Sequence, residues 1–151
     1  MDFTHIDSEG KARMVDISGK PVQKRTAAAS GVIVAGSKVL DLLKAGSLKK
    51  GDPLSAARIA GITAAKKTGD LIPLCHPLPL ENVDVDFEVG NDRVVIKATA
   101  VTTAKTGVEM EALTAVTAAA LTIYDMCKAV SKDMVIGEIK LISKRKEEPD
   151  E

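Results

Sequence analysis

The chain has 151 residues, a length typical of one domain, and its 21 basic and 21 acidic residues give a formal net charge of zero. This balance argues against nonspecific nucleic-acid binding and against a polybasic membrane-surface protein, because both depend on clustered positive charge. Aromatic residues make up only 2% of the chain, so a base-stacking platform is not expected and the core must use aliphatic residues.

Neither a membrane span nor an export signal is indicated. The uncharged stretch 112–124 is too short to cross a bilayer, and residues 1–10 contain no apolar signal region. The two cysteines, Cys75 and Cys127, match no disulfide or zinc spacing. We therefore expect a cytoplasmic protein.

The chain begins with an arm, a strand and a short helix. Residues 1–21 are polar and end in a turn signal, so we expect a loosely ordered arm. A strand follows over residues 25–35. Ser37 is the predicted N-cap of a short helix that runs through Leu43 and is closed by Gly46.

A second helix is predicted to begin at Asp52-Pro53, with Asp as the N-cap and Pro at the first helical position. It should run to about Lys67 and stop at Gly69. The following segment, residues 71–80, contains three prolines and is therefore predicted to be extended or looping rather than helical.

The second half of the chain predicts a hairpin, a long helix and a final strand. Apolar and acidic residues alternate over 83–89, and a turn leads to a return strand over 94–101. A helix over 108–129 is predicted by apolar residues at helical spacing, namely Leu113, Val116, Ala120, Tyr124 and Cys127. Val108, Leu121 and Ile123 add apolar residues on other faces, so we expect this helix to be buried on more than one side.

The last strand covers residues 135–142, and a solvated charged tail covers 144–151. No regular alternation of strand and helix appears along the chain. This order favours a single α+β domain over residues 1–151, with an antiparallel sheet covered by helices on one face.

Two segments in the first half carry candidate functional residues. Lys50 lies beside a predicted helix start, where an anion could bind, but on this motif alone an ordinary capped helix with surface lysines is favoured. Cys75-His76 lies between prolines, and the histidine could be a general acid, a base or a ligand donor. The alternative is a packed loop with one satisfied histidine, and the spacing gives little support to a zinc site.

The long helix carries the other candidates. Glu109 and Glu111 lie at its start, and Asp125 and Lys128 lie near its end, where a helix cap and an exposed ion pair would explain them as well. Glu111 and Asp125 fall on roughly one stripe about 21 Å apart, at about 1.5 Å per residue. Because one small ligand cannot bridge that distance, a shared site requires a second subunit.

Three long runs of the sequence resemble the cyclic pyranopterin monophosphate synthase family, the C proteins of molybdenum-cofactor biosynthesis. They are LIPLCHPL at 71–78, KTGVEMEALT at 105–114 and LTIYDMCKA at 121–129. The segments 4–6 and 14–17 also match, so that the resemblance covers nearly the whole chain apart from the charged tail.

The resemblance implies a lyase that converts 3′,8-cyclo-7,8-dihydro-GTP to cyclic pyranopterin monophosphate and pyrophosphate. It also implies a ferredoxin-like subunit in a homohexamer, a trimer of dimers, with sites between subunits. We expect no cofactor and no resident metal, because no carboxylate cluster demands one, although a divalent ion accompanying the phosphates stays open.

Residue roles also follow from the resemblance. Asp125 matches the active-site aspartate of the family, and Lys50 and Lys128 match its catalytic lysines. The positions that match substrate contacts are Leu74, Cys75, His76, Met110 and Glu111, with Glu109 and Arg25 as further candidates. The alternatives are a noncatalytic module that binds a nucleotide or a partner, and an enzyme that uses the Cys75 thiol.

Overall fold

A computed structural model of the protein describes residues 3–46 and 51–150. Four strands and four helices follow one another as β1 (Gln23–Val34), α1 (Ser37–Ala45), α2 (Pro53–Lys66), α3 (Thr68–Leu71), β2 (Leu80–Val89), β3 (Arg93–Ala104), α4 (Glu109–Cys127) and β4 (Val135–Glu147). None of the helices in this described part is both long and apolar enough to cross a bilayer.

The strands form one antiparallel sheet in the order β2-β3-β1-β4. β1 pairs with β3 from Gln23 opposite Ala104 to Val34 opposite Arg93, so these two central strands run side by side over their whole length. The predicted hairpin is formed by β2 and β3. The arrangement is α+β and ferredoxin-like, as predicted.

The helices lie on one face of the sheet. The strand residues that point towards them are buried and small or β-branched, as in Ala27, Ala29 and Ile33 of β1 and Ile96 of β3. α4 contacts β1, β3 and β4 and packs along α2. Four of its eight buried residues are alanines, which allow close approach in a core with few aromatic residues.

The contact between α2 and α4 depends on Gly61. A Cβ atom at this position would lie 2.9 Å from the backbone oxygen of Ala115 and 3.1 Å from Cγ2 of Val85. The helices therefore approach as closely as a glycine allows.

We expect Gly61→Ala to destabilise the fold. Overpacking costs about 1–3 kcal/mol and outweighs the gain of about 1 kcal/mol in helix propensity. Urea unfolding should show a lower midpoint, whereas Gly19→Ala should leave it unchanged because nothing lies within 4 Å of a Cβ there. An unchanged midpoint for Gly61→Ala would show that α2 can move away from α4 without loss of stability.

Two helix boundaries differ from the predictions. The N-cap of α1 is Gly36 rather than Ser37, although Gly46 closes the helix in a left-handed conformation as predicted. Gly69 does not end the helical segment, because it lies within α3, which follows α2 almost directly. The glycine is used for packing instead, since a Cβ there would lie 3.2 Å from Cα of Pro77.

Other predictions on the helices are confirmed or corrected. The Asp52 side chain accepts a hydrogen bond from the amide of Leu54, so the predicted N-cap of α2 is confirmed. α4 is also confirmed, and it packs against both the sheet and α2, but Leu121 on a further face is 57% exposed in the single chain. An amphipathic period alone does not reveal how many faces of a helix are covered within one subunit.

The last strand is longer than expected from its composition. β4 runs to Glu147 rather than to residue 142, because the charged residues pair with β1 through their backbone while their side chains stay exposed. Charged side chains are typical of such edge strands. Residues 3–22 contain turns and an isolated bridge between Ile6 and Ala12 rather than helices or strands. We call this segment the N-terminal arm.

Candidate active site

A cavity of about 270 Å³ lies between the loop that follows α3, the start of α4 and the N-terminal arm. The predicted site residues that line it are Leu74, Cys75, His76, Glu109, Met110 and Glu111. Two segments that are about thirty-five positions apart in sequence therefore contribute to one concave site, which is the usual form of a small-molecule site.

The loop holds His76 in a defined orientation. Prolines on both sides prevent helix formation, and a turn closes with the amide of Cys75 donating to the carbonyl of Ile72 at 3.0 Å. His76 Nε2 donates to the backbone carbonyl of Val15 in the N-terminal arm at 2.7 Å. One ring nitrogen is thus satisfied, while the histidine still lines the cavity.

Glu111 is the buried acid of the site. Only 4% of the residue is exposed, although it lies in the first turn of α4. Burial raises the pKa of Glu111 to about 7, and the negative charge of Glu109 adds to this increase. A carboxyl group with a pKa near neutrality is suited to donate or accept a proton in a reaction at that pH.

Cys75 lacks the environment of a reactive cysteine. Burial raises the pKa of its thiol, and the negative charge of Glu111 raises it further. The thiol therefore stays protonated at neutral pH, and the protonated form is a poor nucleophile. This electrostatic setting favours a contact role for Cys75 over covalent catalysis.

The N-terminal arm contributes residues to the cavity that the sequence did not single out. They are Thr4, His5, Val15, Ile17 and Lys20. The arm is attached on its other side by Lys105, whose Nζ donates to the carbonyl of Ser18 at 2.8 Å. The family resemblance of segments 4–6 and 14–17 includes Thr4, His5, Val15 and Ile17, but not Lys20.

A second cavity of about 240 Å³ adjoins the first and is rich in cations. Both cavities share Gly107 and Glu109. Arg25 lies opposite Lys146 in the pairing of β1 with β4, and Lys144 forms an ion pair with Glu109 at 3.3 Å. The sequence pointed to Arg25 but placed both lysines in a solvated tail, because a charged run gives no sign of strand pairing.

This cationic cavity has the chemistry of an anion site. Arg25 Nε is buried and has no hydrogen-bond partner among the residues that the structure describes. A guanidinium group binds phosphate oxygens through directed hydrogen bonds, and two lysines nearby add charge.

Asp125 and Lys128 lie at the other end of α4 and line neither cavity. Lys128 Nζ lies 2.6 Å from Asp125 Oδ1 at the surface. The hydrogen bond and the charge of Asp125 raise the pKa of Lys128, so that its ammonium group stays charged. One chain therefore does not bring these two residues to Glu111. Lys50, the other predicted catalytic lysine, lies outside the described residues.

Within residues 3–46 and 51–150, no group of three or more His, Cys, Asp or Glu side chains is arranged to hold a metal ion. The polar groups of the two cavities instead include several cations, two histidines, the buried carboxyl group of Glu111 and the carboxyl group of Glu109. This set is suited to an anionic organic substrate with groups that exchange protons.

Comparison with known proteins identifies the family. The chain is 59% identical over 144 residues to a cyclic pyranopterin monophosphate synthase of Novosphingobium aromaticivorans, covering 95% of this chain and 92% of the relative. A second, from Desulforapulum autotrophicum, is 55% identical, with 95% and 89% covered. A molybdenum cofactor biosynthesis bifunctional protein of Chlorobaculum tepidum is 57% identical over 93% of this chain and 45% of that longer protein. The model of the MoaC family matches residues 14–147, and the chain therefore belongs to the MoaC family.

Proposed function

We propose that the protein is a lyase of molybdenum-cofactor biosynthesis that converts 3′,8-cyclo-7,8-dihydro-GTP to cyclic pyranopterin monophosphate and pyrophosphate. The proposal rests on the 59% identity, over nearly the full length, to a relative named for synthesis of that product. The two adjoining cavities support it, because one is cationic and the other contains a buried acid and a histidine.

The cationic cavity is the proposed site of the triphosphate. Closing the cyclic phosphate requires a hydroxyl oxygen to attack the innermost phosphorus while pyrophosphate departs with the electron pair of the broken bond. Arg25, Lys144 and Lys146 can offset the charge that develops on the leaving group. Lys144 would exchange its ion pair with Glu109 for a phosphate oxygen.

The first cavity is the proposed site of the purine-derived ring and the sugar. Rearrangement to the pyranopterin opens a carbon–nitrogen bond and therefore requires proton transfer. Glu111 is suited to this role because burial keeps its pKa near neutrality. Leu74 and Met110 offer apolar contacts in this cavity, and Cys75 adds a protonated thiol.

We propose that Asp125 and Lys128 reach this site from a second subunit. α4 exposes an apolar groove along Leu113, Thr117 and Leu121, and residues of α2 and α3 form its other side. If α4 of a second copy lies antiparallel in this groove about a two-fold axis between Thr117 and Ala118, residue 125 faces 110 and residue 128 faces 107. Both 110 and 107 line the first cavity.

This pairing explains two observations at once. It covers Leu121, which is 57% exposed in the single chain, and it brings the distant ion pair to the cavity. Two-fold pairing is also the commonest symmetry of homo-oligomers. Three such dimers would form the proposed homohexamer. We further propose one domain over residues 1–151 and a cytoplasmic location, which suits the two free cysteines.

The test is an activity assay with the pure protein and 3′,8-cyclo-7,8-dihydro-GTP. Pyrophosphate release and a pterin that fluoresces after oxidation are followed together. Both should appear in equal amounts, and both should vanish in Lys128→Ala. A folded and oligomeric sample that binds the substrate but forms neither product would favour the noncatalytic binding module.

Cys75→Ala should remain active. If the thiol only contacts substrate, kcat should stay within about 3-fold of the parent and KM should rise at most about 10-fold. Steady-state kinetics would measure both values, with Cys75→Ser as a control that keeps a small polar group. A loss of turnover in both variants, with KM unchanged, would instead support covalent catalysis by the thiol.

A further inference from the structure

The N-terminal arm is attached to the candidate site through a histidine side chain. His76 Nε2 and the Val15 carbonyl oxygen are 2.7 Å apart, although the residues are 61 positions apart in sequence. On the far side of the arm, Lys105 Nζ donates to the Ser18 carbonyl. The Asp16 carboxylate accepts from the Ser18 amide at 2.8 Å and shapes the arm between these two anchors.

The bond to Val15 determines which nitrogen of His76 carries the proton. A carbonyl oxygen only accepts hydrogen bonds, so Nε2 must be the donor whether the ring is neutral or charged. In the neutral ring the other nitrogen, Nδ1, is then an acceptor. Within the part of the chain that the structure describes, Nδ1 has no hydrogen-bond partner.

We propose that the arm is a positioning element of the site: the Val15 carbonyl holds His76 in the Nε2–H tautomer, and Nδ1 accepts a hydrogen bond from an N–H or O–H group of the substrate. The nature of that substrate rests on the proposed function, whereas the tautomer and the anchor do not. The arm residues Thr4, His5 and Lys20 also line the cavity.

A purely structural histidine would behave differently. If His76 only fastened the arm, any side chain that donates to Val15 would serve as well. If Nδ1 also contacts the substrate, fastening the arm is necessary but not sufficient for turnover. The two roles are therefore separable by substitution.

Nitrogen NMR of the imidazole rings tests the tautomer directly. The chain contains only two histidines, His5 and His76, so spectra of ring-labelled protein are assigned by one variant, His5→Gln. At a pH where the ring is neutral, we expect His76 to show a protonated Nε2 and a bare Nδ1. A protonated Nδ1, or rapid exchange between both tautomers, would overturn the proposal even if the enzyme is active.

Two amide substitutions separate the two roles. The Gln amide reaches about as far as Nε2, so His76→Gln can still donate to Val15, whereas the shorter Asn amide takes the place of Nδ1. We expect His76→Gln to keep the arm closed but to lose about 100-fold or more in kcat. We expect His76→Asn to open the arm, with trypsin cleavage after the exposed Lys11 and Arg13 about 10-fold faster than in the parent.

The outcomes decide between the alternatives. Parental kcat in His76→Gln with a protected arm would overturn the role of Nδ1. An arm in His76→Asn that is as resistant to trypsin as in the parent would overturn the anchor. If the parent itself shows no turnover, the proposed function fails, while the ring spectra and the trypsin pattern still decide the tautomer and the anchor.

Discussion

Lys128→Ala and Lys50→Ala are each expected to reduce turnover by at least about 100-fold without unfolding the protein, because cations that stabilise transition-state charge contribute at that scale. Stability should change little for Lys128, since its side chain is 49% exposed and pairs with Asp125 at the surface. Such exposed pairs contribute about 0–1 kcal/mol. Steady-state kinetics and urea unfolding measure the two effects. Lys38→Ala, an exposed lysine in α1, is the matched control and should keep full activity.

Mixing the two inactive variants tests whether the site is shared between subunits. If Lys50 and Lys128 of one site come from different chains, equal mixing with free subunit exchange should restore about a quarter of parental activity. Exchange is confirmed by mass spectrometry of differently labelled chains. No recovery after complete exchange would contradict the arrangement. Glu111→Gln mixed with Lys128→Ala offers the same test with two residues that the structure describes.

Local signals in the sequence predicted most of the fold. The alternation over 83–89 and the turn after it specified the β2–β3 hairpin, and Asp52-Pro53 specified the start of α2. The parts of the fold that could not be predicted depend on strand pairing between segments that are far apart in sequence. Residues 144–147 read as a charged tail, but β1 lies beside them and supplies their backbone hydrogen bonds.

The same distinction applies to the candidate site. The proline-flanked Cys75-His76 and the acids at the start of α4 were visible as unusual residues, and the fold brings them to one cavity. The arm residues and Lys144 were missed, because their role depends on tertiary contacts with the cavities. The separation of Asp125 from Glu111 was inferred from helix length, and α4 is continuous between these two residues.

Glu111→Gln is expected to make the fold more stable at alkaline pH while it removes activity. The folded-state pKa of Glu111 is about 7, above the ordinary value of 4.5. Between these values the folded chain keeps a proton that the unfolded chain has lost. The contribution of this carboxyl group to stability is therefore complete below about pH 4.5 and is lost as the pH rises through about 7, by about 3 kcal/mol in total.

Urea unfolding at pH 5, 6, 7 and 8 measures this effect, and the difference between parent and variant cancels the titration of other groups. Because glutamine has no charge to desolvate, the parent should lose stability relative to Glu111→Gln by about 1–3 kcal/mol across this range. Glu88→Gln replaces an exposed carboxylate on β2, and its free energy of unfolding should depend on pH as that of the parent does. If the free energies of unfolding of Glu111→Gln and of the parent depend on pH in the same way, the Glu111 carboxyl group of the parent is hydrated in solution.

The activity of Glu111→Gln shows whether the carboxyl group takes part in the reaction. A buried acid that destabilises the fold at neutral pH is expected where its proton is used in catalysis. Glutamine has nearly the same shape, but its amide cannot exchange that proton. If Glu111→Gln raises stability and lowers kcat by about 100-fold or more, the carboxyl group acts on the substrate. If stability rises and kcat is unchanged, Glu111 only shapes the cavity, and the proton transfers must fall to His76 and the lysines.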